Sequence, residues 1–182
     1  MINRITFFLL LSVTVLSCSA QCQSYEKKEL SMVIDGRFSN YDHLPDLDTL
    51  SKPFWRYDIS QRIFTKYVVS PIYTTHISMT NLEVDSIIEK YYSLKLNEFD
   101  SVASFQLDER LRHAPEFATY IIVKNKNRTQ LIEYQEGSEK NQWDRRNIEK
   151  ARRVKEFLDF TFKIINCKPE IINAPRQKIG FQ

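Results

Sequence analysis

The sequence predicts an α+β domain: an antiparallel sheet of about five strands with two helices packed on one face, in the order ββ(β)-α-ββ-α. Three observations predict it. Aromatic and β-branched residues alternate with period two from Pro53 onward and again after Phe117; two longer stretches carry apolar residues at helical spacing; and short polar turns divide the alternating runs.

Phe54 to Ile59 puts Trp55, Tyr57 and Ile59 on one face and Arg56 and Asp58 on the other. After Ser60-Gln61 the stretch Arg62 to Val69 alternates again, with Ile63, Thr65, Tyr67 and Val69 set against Arg62 and Lys66, so the pair reads as a hairpin. Pro71 has no N–H to give a ladder and interrupts it, and a third strand is expected over Ile72 to Met79. Thr80-Asn81-Leu82-Glu83 fits a capping box, in which threonine closes the helix N-terminus and glutamate reaches back. Val84, Ile87, Ile88, Tyr91 and Leu94 then share one helical face.

From Asn97 to Glu116 the pattern blurs, which marks either a functional loop or an unrecognised strand or turn. Phe117 to Lys124 and Thr129 to Glu136 flank Asn125-Lys126-Asn127-Arg128, a second hairpin with a polar turn. The last helix is expected from Gln142 to Asn166. Ile148, Ala151, Val154, Leu158, Phe162 and Ile165 make its stripe, widened by Phe157, Thr161 and Ile164. Arg145/Glu149, Arg152/Glu156 and Lys155/Asp159 are candidate i,i+4 pairs, and Pro169 enforces the stop.

The N-terminus carries a different signal. Met1-Ile2-Asn3-Arg4 is a short basic start, and Ile5 to Leu16 is apolar apart from Thr6, Ser12 and Thr14. That run is too short to span about 30 Å of hydrocarbon but suits the apolar core of a secretory signal. It ends Val15-Leu16-Ser17-Cys18, which resembles the lipobox of bacterial lipoproteins: two aliphatic residues, a small residue and a cysteine. The resemblance implies that Cys18 becomes the mature N-terminus with a diacylglycerol on its thiol. Two or three acyl chains, each buried CH₂ contributing about 0.8 kcal/mol, then anchor the protein to a membrane. Ser19 after that cysteine favours the outer membrane. The rival is cleavage after Ala20, releasing a soluble periplasmic or secreted protein that starts at Gln21.

The chain therefore divides into a signal (1–17), a lipidated cysteine with a polar tether (18–52) and one domain (53–182). A hydrophobic content of 42% with 13% aromatics supports a folded core over disorder. A formal charge of +3 over 182 residues gives no case for nucleic acid. With three glycines in all, a phosphate-cradling glycine loop is effectively excluded. Cys22 and Cys167 remain once Cys18 is lipidated; an oxidising compartment permits a bridge between them, and two isolated thiols are the plainer reading.

Candidates for chemistry are few. His76 falls inside a predicted strand and reads as structural or surface. His113 with Asp108 and Glu109 offers nitrogen and oxygen ligands or an acid/base pair, but Arg110 and Arg112 alternate with them, as in a solvated, neutralised loop. Asp42-His43 with Asp46 and Asp48 lacks the glycine turn of a calcium loop. Arg145-Arg146, Lys150 and Arg152-Arg153 form a basic helix start that interleaved acids largely cancel. Trp55, Trp143 and Tyr92 are candidate contact aromatics, with core membership the plainer role for Trp55. No nucleophile elbow, zincin helix or Cys-x-x-Cys pair occurs. The reading is a non-enzymatic envelope lipoprotein, without cofactor or metal, that binds a protein or another envelope component. A hydrolase using His113 with Asp108 or Glu109, and an immunity or inhibitor protein plugging its target with the long loop, stand as alternatives.

Overall fold

The computed structural model describes residues 30–39, 52–69, 71–107, 117–140 and 145–176. The chain divides into two units, Met1–Leu30 and Ser31–Gln182, and the architecture is that of the second. Cys18, Cys22, the acidic cluster from Asp42 to Asp48, Asp108, Glu109, His113 and Trp143 lie outside the described residues.

The strands are β1 (Ser31–Phe38), β2 (Trp55–Asp58), β3 (Ile63–Lys66), β4 (Tyr73–His76), β5 (Val102–Phe105), β6 (Phe117–Asn125) and β7 (Arg128–Tyr134). Helix α1 (Asn81–Ser93) follows β4, and α2 (Arg145–Ile165) and the short α3 (Pro169–Ile172) follow β7. The class is α+β, but the sheet has seven strands and is mixed, in the order β4-β3-β2-β1-β6-β7-β5. All neighbours are antiparallel except β5 and β7, which run parallel. The two strands beyond expectation, β1 and β5, and the third short helix are corrections to the sequence-based count.

β1 lies where a polar tether was expected, and it is the central strand. Its six residues from Met32 to Arg37 are all buried, so no polar face breaks the pattern. Its two charges hide inside: the Arg37 guanidinium donates to both Asp35 carboxylate oxygens, at 2.8 and 2.7 Å. A charged pair two residues apart looks like solvated chain in sequence, yet it satisfies itself within one face of a strand. β5 was hidden in the blurred stretch because four residues are too few to establish a period.

Register explains how the sheet presents two surfaces. Tyr57, Ile34, Ile121 and Ile132 lie side by side across β2, β1, β6 and β7. Ile34, Ile121 and Ile132 are fully buried, each worth roughly 1.5–3 kcal/mol. Both long helices reach this face. Phe162 of α2 meets Trp55 and Tyr57, and the Tyr91 hydroxyl of α1 bonds the Gln130 side chain. The helices also pack on each other through Tyr91 and Phe157. The expected stripe on α2 is the buried one, with Ala151, Val154, Phe157, Leu158 and Ile165 at most 4% exposed.

The hairpin β2–β3 corrects the expected phase of its second strand. Tyr57 pairs with Phe64, which is buried, whereas Ile63 pairs with Asp58 on the other face. Arg62 at the turn takes a φ of 55°, a left-handed position that sets the phase of the return strand. The capping box forms as expected: Thr80 Oγ1 accepts the Glu83 N–H at 3.2 Å, and Glu83 accepts the Thr80 N–H at 2.8 Å. Pro169 does follow the end of α2, but it also opens α3 at a first-turn position where no N–H is needed.

Candidate functional site

A groove of about 420 Å³ opens where the β2–β3 hairpin meets the C-terminal segment. Trp55, Tyr57, Phe64 and Phe162 supply its aromatic surface, Ile171 and Ile172 its aliphatic side, and Lys66 and Arg176 its cations. The rings form a set: Tyr57 and Phe64 stack at 4.7 Å with an interplanar angle of 19°, while Phe162 stands edge-on to Trp55 at 5.9 Å. Such rings offer both faces and edges to a flat apolar guest.

The groove is built from strand alternation on one side and a tied-down tail on the other. Trp55 is placed by Gly36, its cross-strand neighbour on β1. A Cβ at Gly36 would sit 2.6 Å from the indole Nε1 and Cζ2, so a glycine is what allows the ring to lie against the strand. The tail is fastened at three points. Lys168 reaches Glu83 at 2.6 Å, Ser78 donates to Glu170 at 3.1 Å, and Lys66 donates to the Pro175 carbonyl at 2.7 Å. Burial pushes the Tyr57 phenol up to about 12, so it stays protonated across the physiological range.

The opposite face of the sheet carries a polar row. Arg56, Asp35, Tyr120, Glu133 and Ser104 are successive cross-strand neighbours. Glu133 is fully buried, and each of its oxygens accepts two hydrogen bonds. Ser39 and Tyr120 donate to one at 2.7 and 2.8 Å, and Ser104 and Gln106 to the other at 2.6 and 3.2 Å. One carboxylate thus links strands β5, β6 and β7 with the end of β1. Burial first, and then the neighbouring Glu133 charge, push the Tyr120 phenol well above its ordinary value, so it serves as a donor. With both oxygens accepting from neutral donors, Glu133 is suited to holding the strands in register.

The sequence candidates disperse. His76 is exposed on edge strand β4, paired with Ile63. Of the basic cluster on α2, Arg153 lies over the Phe99 ring at 4.7 Å and donates to the Leu94 carbonyl at 3.1 Å, and Lys150 lies over the same ring at 5.7 Å. These two cations pack rather than project. Arg152 pairs at 3.9 Å with Glu149, not with Glu156, because Glu156 reaches across to Lys90. Tyr92 stands edge-on to Tyr91 at 5.3 Å. Cys167 is an exposed free thiol whose S–H donates to the Ile164 carbonyl at 3.0 Å. Trp55 alone belongs to the groove. Phe162 was legible only as part of the α2 stripe, and Phe64 and Arg176 had no local signal, since only the tertiary fold brings the three together.

Among the described residues no group of histidine, cysteine and acidic side chains could hold a metal ion, and no helix is long and apolar enough to cross a membrane. No family model, curated protein or solved structure matches the chain.

Proposed function

We propose that this chain is an exported lipoprotein, anchored through acyl chains on Cys18, whose folded domain is a non-enzymatic binding module with the aromatic groove as its binding site. The groove carries this reading. An open cleft of about 420 Å³ walled by Trp55, Tyr57, Phe64 and Phe162 falls within the size and composition range of small-molecule sites. Its parts come from both ends of the domain and are tied together by polar contacts, so the cleft exists before any ligand arrives. The signal and the Val15-Leu16-Ser17-Cys18 motif support the anchor, and Ser19 favours the outer membrane.

N-phenyl-1-naphthylamine, a neutral dye that brightens in apolar surroundings, tests the site. The wild type should bind one equivalent. Ile172→Asp, at a residue 67% exposed, and Ala174→Trp, which fills the cleft, should each abolish binding while the melting temperature holds. Undiminished binding in both variants would contradict the assignment.

A further inference from the structure

Resting on the groove as the binding site, we infer that its ligand is a small amphipathic anion: an aromatic or branched-alkyl carboxylate, with its apolar body among the rings and its head group between Lys66 and Arg176. The groove is electrostatically one-sided. Lys66 and Arg176 line it, and none of its other lining residues is acidic. A guest that neutralises these cations gains charge-assisted hydrogen bonds, whereas a cationic guest is repelled by both of them.

Lys66 is also held in position. Its ammonium donates to the Pro175 carbonyl at 2.7 Å, next to Arg176 in sequence. An ammonium has three donors, so two remain for a ligand. The guanidinium of Arg176 adds a planar fork that matches a carboxylate. The apolar part of the site sets the rest of the specificity. Trp55 and Phe162 stand at 79° to each other, and Tyr57 and Phe64 lie nearly parallel, so a flat ring or a branched chain can contact several ring surfaces at once.

A pair of dyes with one ring system separates charge from hydrophobicity. 8-Anilinonaphthalene-1-sulfonate adds a sulfonate to N-phenyl-1-naphthylamine. The wild type should bind the sulfonate about tenfold more tightly, equivalent to about 1.4 kcal/mol, and added salt should narrow that gap. The double variant Lys66→Gln/Arg176→Gln should lose the tenfold advantage, read as the ratio of its affinities for the two dyes. 3-Phenylpropanoate should displace the bound sulfonate dye at about a tenth of the concentration that 3-phenylpropanamide needs. Equal affinity for the two dyes, or displacement by acid and amide alike, would overturn the anion inference while leaving the groove intact as an apolar site. Failure of both dyes to bind the wild type would overturn the groove itself.

Discussion

Lys168 donates at 2.6 Å to the carboxylate of Glu83, and that carboxylate also accepts the Thr80 N–H at 2.8 Å. One side chain therefore closes the N-terminus of α1 and fastens the segment that leads into α3, the aliphatic side of the groove. The hydrogen bond from Lys168, and then that from Thr80, hold the Glu83 carboxyl below its ordinary value. A depressed carboxyl stabilises the fold above the unfolded-state pKa and loses that contribution as pH falls through its folded value. Glu83→Gln should cost about 1 kcal/mol at neutral pH, a loss of about 2–4 °C in melting temperature, because the pair is partly exposed and screened. Melting curves of wild type and variant should converge as pH falls below about 4. A gap that stays constant into acid would assign the cost to something other than the charge.

Gly36 and Trp55 make a second linked pair. Gly36→Ala forces a methyl to within 2.6 Å of the indole, and overpacking of this kind costs roughly 1–3 kcal/mol. The ring should move, shifting tryptophan emission and weakening dye binding in the groove. Adding Trp55→Leu should recover most of the lost stability. If Gly36→Ala leaves both stability and emission unchanged, the indole does not rest on β1.

The Glu133 cluster predicts an asymmetry between two substitutions. Glu133→Leu removes the acceptor shared by four donors, the buried Tyr120 and the partly buried Ser39, Ser104 and Gln106, and urea unfolding should register a loss of about 3 kcal/mol. Glu133→Gln keeps one oxygen to accept and sets its NH₂ against the other donors, so it should fall between leucine and wild type. Equal losses for the two would mean that volume, not hydrogen bonding, accounts for Glu133.

Tyr57 contributes to the alkaline limit alongside Tyr120, whose phenol burial pushes up further. Its folded pKa, raised by burial to about 12, lies above the unfolded value of about 10. The folded state therefore holds this proton more tightly. The stability it contributes, on the order of 2–3 kcal/mol, is full below pH 10 and lost as pH rises toward 12. Ultraviolet titration should show a late-ionising tyrosine that Tyr57→Phe removes, with the variant more resistant to base. A titration in which every tyrosine ionises at the exposed value while the fold persists would contradict the burial.

How much of this was legible follows the range of each interaction. The Thr80–Glu83 box and the Lys155–Asp159 pair at 2.9 Å are local, and both form as the spacing requires. The stripe of α2 was legible because one face of a helix meets the core. Glu156 defied its local partner because Lys90 approaches from another helix. β1 was obscured for the opposite reason: burial on both faces erased its alternation, and the charges of Asp35 and Arg37 pair with each other inside the domain. Trp55 and Tyr57 were recognisable as one face of a strand, but Phe162 and Arg176, at the far end of the chain, complete the groove through topology alone.

The proposed lipid anchor on Cys18 would hold the groove at the cell envelope, and the intact mass of the protein recovered from its host tests it. The predicted mass lacks residues 1–17 and carries two or three acyl chains on Cys18. A mass that retains Met1, or that begins at Gln21 with no adduct, would contradict the lipid anchor.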